Sequence, residues 1–225
     1  SWVFEVHMLS EELNDFRKTS HLRSDNEINK GLTAVPTKYL DQFSQDLTIS
    51  AKYGKLPVAV GREPDLEKLF TFLSEGRRNI LISGQLGTGR STLVHELAYR
   101  MVTETVPLLL QDKRLIKLEV SAIIGSQLPA EQVLIQALSE AERSDNIVLV
   151  LEDMHVLGKA QTNQGLSLLE ILTNHLQSSN LVVIGTTTPN DYQDYLKNTL
   201  SFDELFTVYE LEDLPRRGII LASCI

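Results

Sequence analysis

From about residue 39 the apolar positions of this chain fall into two alternating patterns. Short unbroken apolar runs are separated by longer stretches in which apolar residues return every three or four positions. An unbroken run marks a strand buried on both faces, and strands alternating with amphipathic helices predict a parallel sheet covered on both sides. The predicted strands are NILIS (79–83), LIKLEV (115–120), IVLVL (147–151), LVVIG (181–185) and FTVYEL (206–211). After the first of them, STLVHELAYRMV sets Leu93, Val94, Leu97, Ala98 and Met101 on one helical face. The reading is an α/β domain whose five-stranded parallel sheet is flanked by helices.

Residues 1–38 do not share this order and read as a leader and linker. WVFEVHML is compatible with a strand, whereas SHLRSDNEINKG is polar, turn-rich and without apolar period, as a flexible connector is. Trp2 and Phe4 either anchor the leader on a folded surface or belong to an apolar segment whose parent fold lies elsewhere. No internal repeat or low-complexity tract interrupts the chain.

Composition narrows the class further. Of 225 residues 42% are hydrophobic, enough for one large α/β domain with its own core. With 21 basic against 30 acidic side chains the formal charge is −9, which argues against a broad grip on nucleic acid or anionic lipid. The single cysteine, Cys224, fits a reducing compartment. No run approaches the roughly 18 apolar residues of a membrane span, and no signal sequence opens the chain, so a cytoplasmic protein is expected. The start at Ser1 and the stop after LPRRGIILASCI lead us to expect a piece of a longer protein.

The strongest local signal is GQLGTGRS, 84–91, between the first strand and its helix. Gly84, Gly87 and Gly89 let the backbone take positive φ and turn its N–H groups inward, and the helix that follows adds its dipole. The Ser91 hydroxyl is placed to reach Mg²⁺, so the loop points to ATP or ADP with Mg²⁺. Where such loops carry lysine this one has Arg90, which keeps the charge but is planar and bulkier.

The third strand ends in Glu152 and Asp153, at the carboxyl edge where open α/β sheets place their ligands. Phosphate-loop ATPases carry here an Asp that holds the metal's water shell, often followed by a Glu that polarises the attacking water. The order is inverted, so Glu152 extends a longer arm toward the metal and Asp153 falls one methylene short of the water. A misplacement near ~1 Å costs on the order of a hundredfold in rate.

Taken together, YLDQFSQDLTISAKYGKLPVAVGRE, NILISGQLGTGRSTLVHELAYRMV, VPLLLQDKRLIKLEV, NIVLVLEDMHVL and VIGTTTPNDYQDYL resemble the first AAA+ module of Clp-type unfoldases and disaggregases. The likeness runs from about residue 38 to 215, in order and with near-family spacing. It implies a phosphate-loop AAA+ large subdomain over 39–215, usually hexameric, in which ATP turnover pulls polypeptide through a pore. Residues 216–225 would then open a lid helix, with the rest of the helical lid missing from this stretch. Carried over by position, Val60 and Gly61 line the adenine, and Gly84, Gly87, Thr88, Gly89, Arg90, Ser91 and Thr92 form Walker A. Ser91 and Glu152 are the metal residues, Glu152 and Asp153 the Walker B acids, and Thr187 in GTTT the polar sensor.

The departures point one way. SAIIGSQLPAEQV stands where the family has a pore loop with an aromatic grip, and it contains no aromatic. Where the family has Glu-Arg-Arg-Phe, an ungapped reading gives Asp203, Glu204, Leu205 and Phe206, so the arginine finger is absent. A trans arginine is worth roughly 10³ to 10⁵ in turnover. Arg216 and Arg217 read as a solvated pair without the spacing to replace it. No pair among the five histidines, His95 with His155 included, has metal-ligand spacing. His155 reads as structural, and Tyr192 and Tyr195 as packing residues.

The expected function is therefore an ATP- or ADP-binding Clp-type module with weak or absent hydrolysis, acting in nucleotide-dependent assembly or regulation of a protein-remodelling machine. Its expected partners are proteins, through self-association, AAA+ ring neighbours or a protein substrate, with neither nucleic acid nor membrane. Two rivals are an active ATPase unfoldase using a partner-supplied arginine, and a scaffold that binds no nucleotide.

Overall fold

The computed structural model describes residues 36–57, 61–162 and 165–213. The leader up to residue 35, Val60, Arg216, Arg217, Cys224 and the expected start of a lid helix lie outside the described residues.

The sheet contains the five expected parallel strands and one more. They are β1 (Ser44–Asp46), β2 (Asn79–Ser83), β3 (Arg114–Leu118), β4 (Ile147–Leu151), β5 (Val182–Thr187) and β6 (Thr207–Glu210), in the spatial order β1-β3-β4-β5-β2-β6. Strand β1 is antiparallel to β3, and all other pairs are parallel. It went unforeseen because Ser-Gln-Asp has no apolar alternation; it forms because pairing with β3 satisfies that strand's open edge. β2 and β4 match the expected bounds residue for residue, while β5 runs on through Thr186 and Thr187.

Alternating strand residues divide the interior into two layers. Leu81, Ile116, Leu118, Leu149, Leu151 and Val183 meet one layer, together with the helices Ala130–Ser144 and Leu168–Ser178. Ile80, Ile82, Leu115, Val148, Val150 and Ile184 meet the other, with the helices Leu47–Lys52, Glu63–Ser74 and Arg90–Val102. Burial of such side chains stabilises by about 1.5–3 kcal/mol each, which is why the unbroken runs dominate the fold.

Local signals close the helices. Ser167 and Glu170 form a reciprocal capping box at the start of Leu168–Ser178, and Asp46 caps Leu47–Lys52 while its other oxygen accepts from Arg114 at 2.8 Å. At the far end of the chain Phe202 is fully buried and stacked on Phe206 at 4.6 Å between centroids.

Candidate functional site

The registers bring three strand ends to one edge of the sheet. Ser83 of β2 pairs with Thr187 of β5, and Leu151 of β4 pairs with Gly185 of β5. Thr187 therefore lies between the loop that leaves β2 and the two acids that follow β4.

The loop is fastened at its root by hydrogen bonds from Gly84 N to Thr187 O at 3.1 Å and from Leu211 N to Ser83 O at 2.7 Å. Thr88 folds back so closely that a Cβ on Gly84 would lie 2.7 Å from its Oγ1, which explains glycine there. Gly89 sits at φ +89° and caps the 13-residue helix Arg90–Val102 without any side-chain bond to its first turn. The first N–H groups of that helix are left for an anion. Gly87 is also at positive φ, and a Cβ there would meet nothing within 4 Å, so backbone conformation and not crowding selects glycine. Arg90 Nη1 and Thr187 Oγ1, both buried, have no hydrogen-bond partner. These features fit the phosphates of a nucleotide.

Both acids face a cation. Arg90 Nη1 lies 3.6 Å from Asp153 Oδ1, and Asp153 adopts φ +49° just beyond β4. Its backbone N–H donates to Thr186 Oγ1 at 3.2 Å. Glu152 Oε2 lies 3.4 Å from Lys117 Nζ, which also meets Glu119 Oε1 at 2.9 Å. Burial works against the Lys117 charge, but the hydrogen bond it donates to Glu119 and the field of Glu152 hold its pKa above the ordinary lysine value. His95, on the adjoining helix, is pushed below the usual histidine range by burial, with Glu152 opposing and Lys117 assisting. For a divalent cation the edge offers the exposed Ser91 hydroxyl and Glu152, and among the described residues no three His, Cys, Asp or Glu side chains converge on a metal position.

Sequence reasoning passed over two cations. Lys117 interrupts the apolar positions of β3, and that anomaly was its signal. Arg62 follows Gly61, itself at φ +81°, and is almost wholly buried. Its guanidinium donates to Thr88 O, to Glu212 O at 2.9 Å and to Asp65 Oδ2 at 2.7 Å, while Tyr209 donates its hydroxyl proton to Asp65 Oδ1. It thus joins the loop, the helix Glu63–Ser74 and the exit from β6.

The remaining expected residues spread around this edge. Thr92 is half-buried on the first helical turn. Thr188 caps the turn Pro189–Asp191, and its hydrogen bond holds the Asp191 carboxyl below the usual carboxylate range. His155 lies 3.6 Å from Asp191, and burial depresses its pKa. Tyr192 donates to Asp203 at 2.9 Å, and burial followed by that bond pushes its hydroxyl up to about 12. Leu205 packs against the core and Glu204 is exposed. In 120–129 the exposed large side chains are Ile124 and Leu128.

A parallel sheet with a glycine-rich loop between β2 and its helix, and acids beyond β4, defines a phosphate-loop domain. The chain belongs to the ATPase family associated with various cellular activities (AAA), whose sequence model matches residues 80–209, and it is a Clp-type module of that family. It is 28% identical over 182 residues to the chaperone protein ClpB of Oceanobacillus iheyensis, covering 79% of this chain and 22% of that protein. To the ATP-dependent Clp protease ATP-binding subunit ClpA homolog of Cyanidium caldarium it is 31% identical over 190 residues, covering 81% and 22%. The chain thus spans under a quarter of these relatives' length. The S. cerevisiae Hsp104–ADP complex matches with a TM-score of 0.72 at 27% identity, over 82% of this chain and 27% of that one. The closed state of Hsp104 with ATPγS and FITC-casein matches with a TM-score of 0.73 at 27% identity, over 82% and 32%. The family's activity implies use of nucleotide and Mg²⁺.

Proposed function

We propose that this chain is a nucleotide-binding module that holds ATP or ADP and hydrolyses ATP slowly, acting in the nucleotide-dependent assembly or regulation of a protein-remodelling machine in the cytoplasm. Gly84 to Thr92 hold the phosphates, with Val60 and Gly61 beside the base. One observation carries the reading: the loop has the glycine turns of a phosphate cradle, yet its cation Arg90 lies 3.6 Å from Asp153, the acid we assign to the attacking water. The Arg90 guanidinium lies 3.6 Å from this carboxylate, so an attacking water must compete with it for Asp153. The finger position supports the same conclusion, because Leu205 turns onto the core and Asp203 is taken by Tyr192. A bound triphosphate supplies the scissile bond, and this chain's residues orient it beside acids that each face a cation.

Protein partners follow from the Clp-type relatives and from the structural neighbour solved with casein. Among the described residues no helix is long and apolar enough to cross a membrane.

The test is thermal unfolding with and without millimolar ATP or ADP. A ligand that binds only the folded form at about 100 times its Kd adds about 2.7 kcal/mol. For a domain of this size that is a rise of roughly 5–10 °C. No rise with either nucleotide would remove the reading and favour a scaffold.

A further inference from the structure

Lys117 is a cation placed where the site would be expected to show only acids. On β3 the side chains of Leu115 and Lys117 point to the layer covered by the helix Arg90–Val102, and Lys117 is in register with Val150, one residue before the end of β4. Its ammonium therefore emerges beside Glu152, and the two are 3.4 Å apart with both side chains mostly covered. Glu119, 2.9 Å away, also meets the ammonium, so the lysine bridges two carboxylates. The remaining titratable neighbour, His95, has a buried Nδ1 without a partner and adds no competing anion.

We propose that Lys117 is a built-in counter-cation for Glu152, occupying the charge-compensating role of a divalent metal, so that Mg²⁺ adds little to nucleotide affinity in this chain. The inference rests on the nucleotide-binding reading above. Mg²⁺ dehydrates reluctantly and in nucleotide sites is held by one or two carboxylates together with the phosphates. In this site the carboxylate at the strand end already faces an ammonium, which cannot leave without uncovering two acids. Lys117 is thus a positioning residue: it acts on the site through Glu152.

The experiment is the affinity of the full chain for ADP, measured by calorimetry in Mg²⁺ and again in EDTA, for the unsubstituted protein, Lys117→Met and Lys117→Arg. The unsubstituted chain is expected to gain less than about threefold from Mg²⁺, and Lys117→Met at least about tenfold, because its Glu152 is free to hold the metal. Lys117→Arg keeps the charge and should restore the weak dependence. A lysine that only supported the fold would change both affinities together and leave their ratio alone, which overturns the proposal. A gain of tenfold or more in the unsubstituted chain overturns it without any variant having to fold. Absence of binding in both media sinks the nucleotide reading and this inference together, so the two failures are told apart.

Discussion

Replacing Arg62 by methionine is expected to cost about 3–5 kcal/mol of stability, the range for removing one partner from a buried charged pair. The side chain is 3% exposed and serves three acceptors from three segments. Methionine fills a similar volume but donates nothing, so Thr88 O, Glu212 O and one oxygen of Asp65 lose their donor in a covered environment. Asp65 retains the Tyr209 hydroxyl, whose own pKa is raised by burial and by that bond. With roughly 2–4 °C per kcal/mol for a domain of this size, the melting temperature should fall by about 10 °C. Urea unfolding checks the free energy directly; a loss below about 1 kcal/mol would mean that the network contributes no more than an ordinary hydrogen bond. Because Arg62 holds the Thr88 carbonyl, the variant should also bind nucleotide more weakly.

Gly89→Val is expected to weaken ATP and ADP binding by about ten- to a hundredfold while leaving the fold in place. Gly89 has φ +89° and ψ +31°, and a β-branched residue there is a strained outlier. Its Cβ would find ordinary contacts, at 3.5 Å from Arg62 Nε and 3.6 Å from Thr92, so the cost is backbone strain rather than collision. Strain of this kind is worth about 1–3 kcal/mol, and each ~1.4 kcal/mol that the loop recovers by turning away from its cradle costs tenfold in affinity. Nucleotide titration of the variant, with a melting curve to show that the core is intact, measures this. Unchanged affinity would mean that the amides of this turn do not hold the ligand.

The parallel sheet was legible because β4 is an unbroken apolar run and β2 has a wholly apolar centre, with every residue of both buried, a pattern with few other readings. The loop was legible because its glycines lie close together in sequence, and φ signs at Gly87 and Gly89 follow from that local chemistry. Strand β1 was hidden because three polar residues become a strand only when β3 is there to pair with them. The cations were hidden for a related reason. Lys117 meets Glu152 across 35 residues and Arg62 meets Glu212 across 150, and no local pattern announces either pairing. The inverted acids could be read as a departure from the family, but only the fold shows that each faces its own cation.

The central claim is that binding is kept and turnover is slow, and one sample can test both halves. The chain is mixed with a slight excess of ATP labelled on its γ-phosphate, and retained nucleotide and released phosphate are followed together. The account predicts retained ATP with phosphate released on the order of 10⁻³ s⁻¹ or slower, the range of a phosphate-loop protein without its finger arginine. Release at about 1 s⁻¹ or faster would contradict it, since that rate needs a base and an arginine acting where Asp153 is paired and Leu205 is packed away.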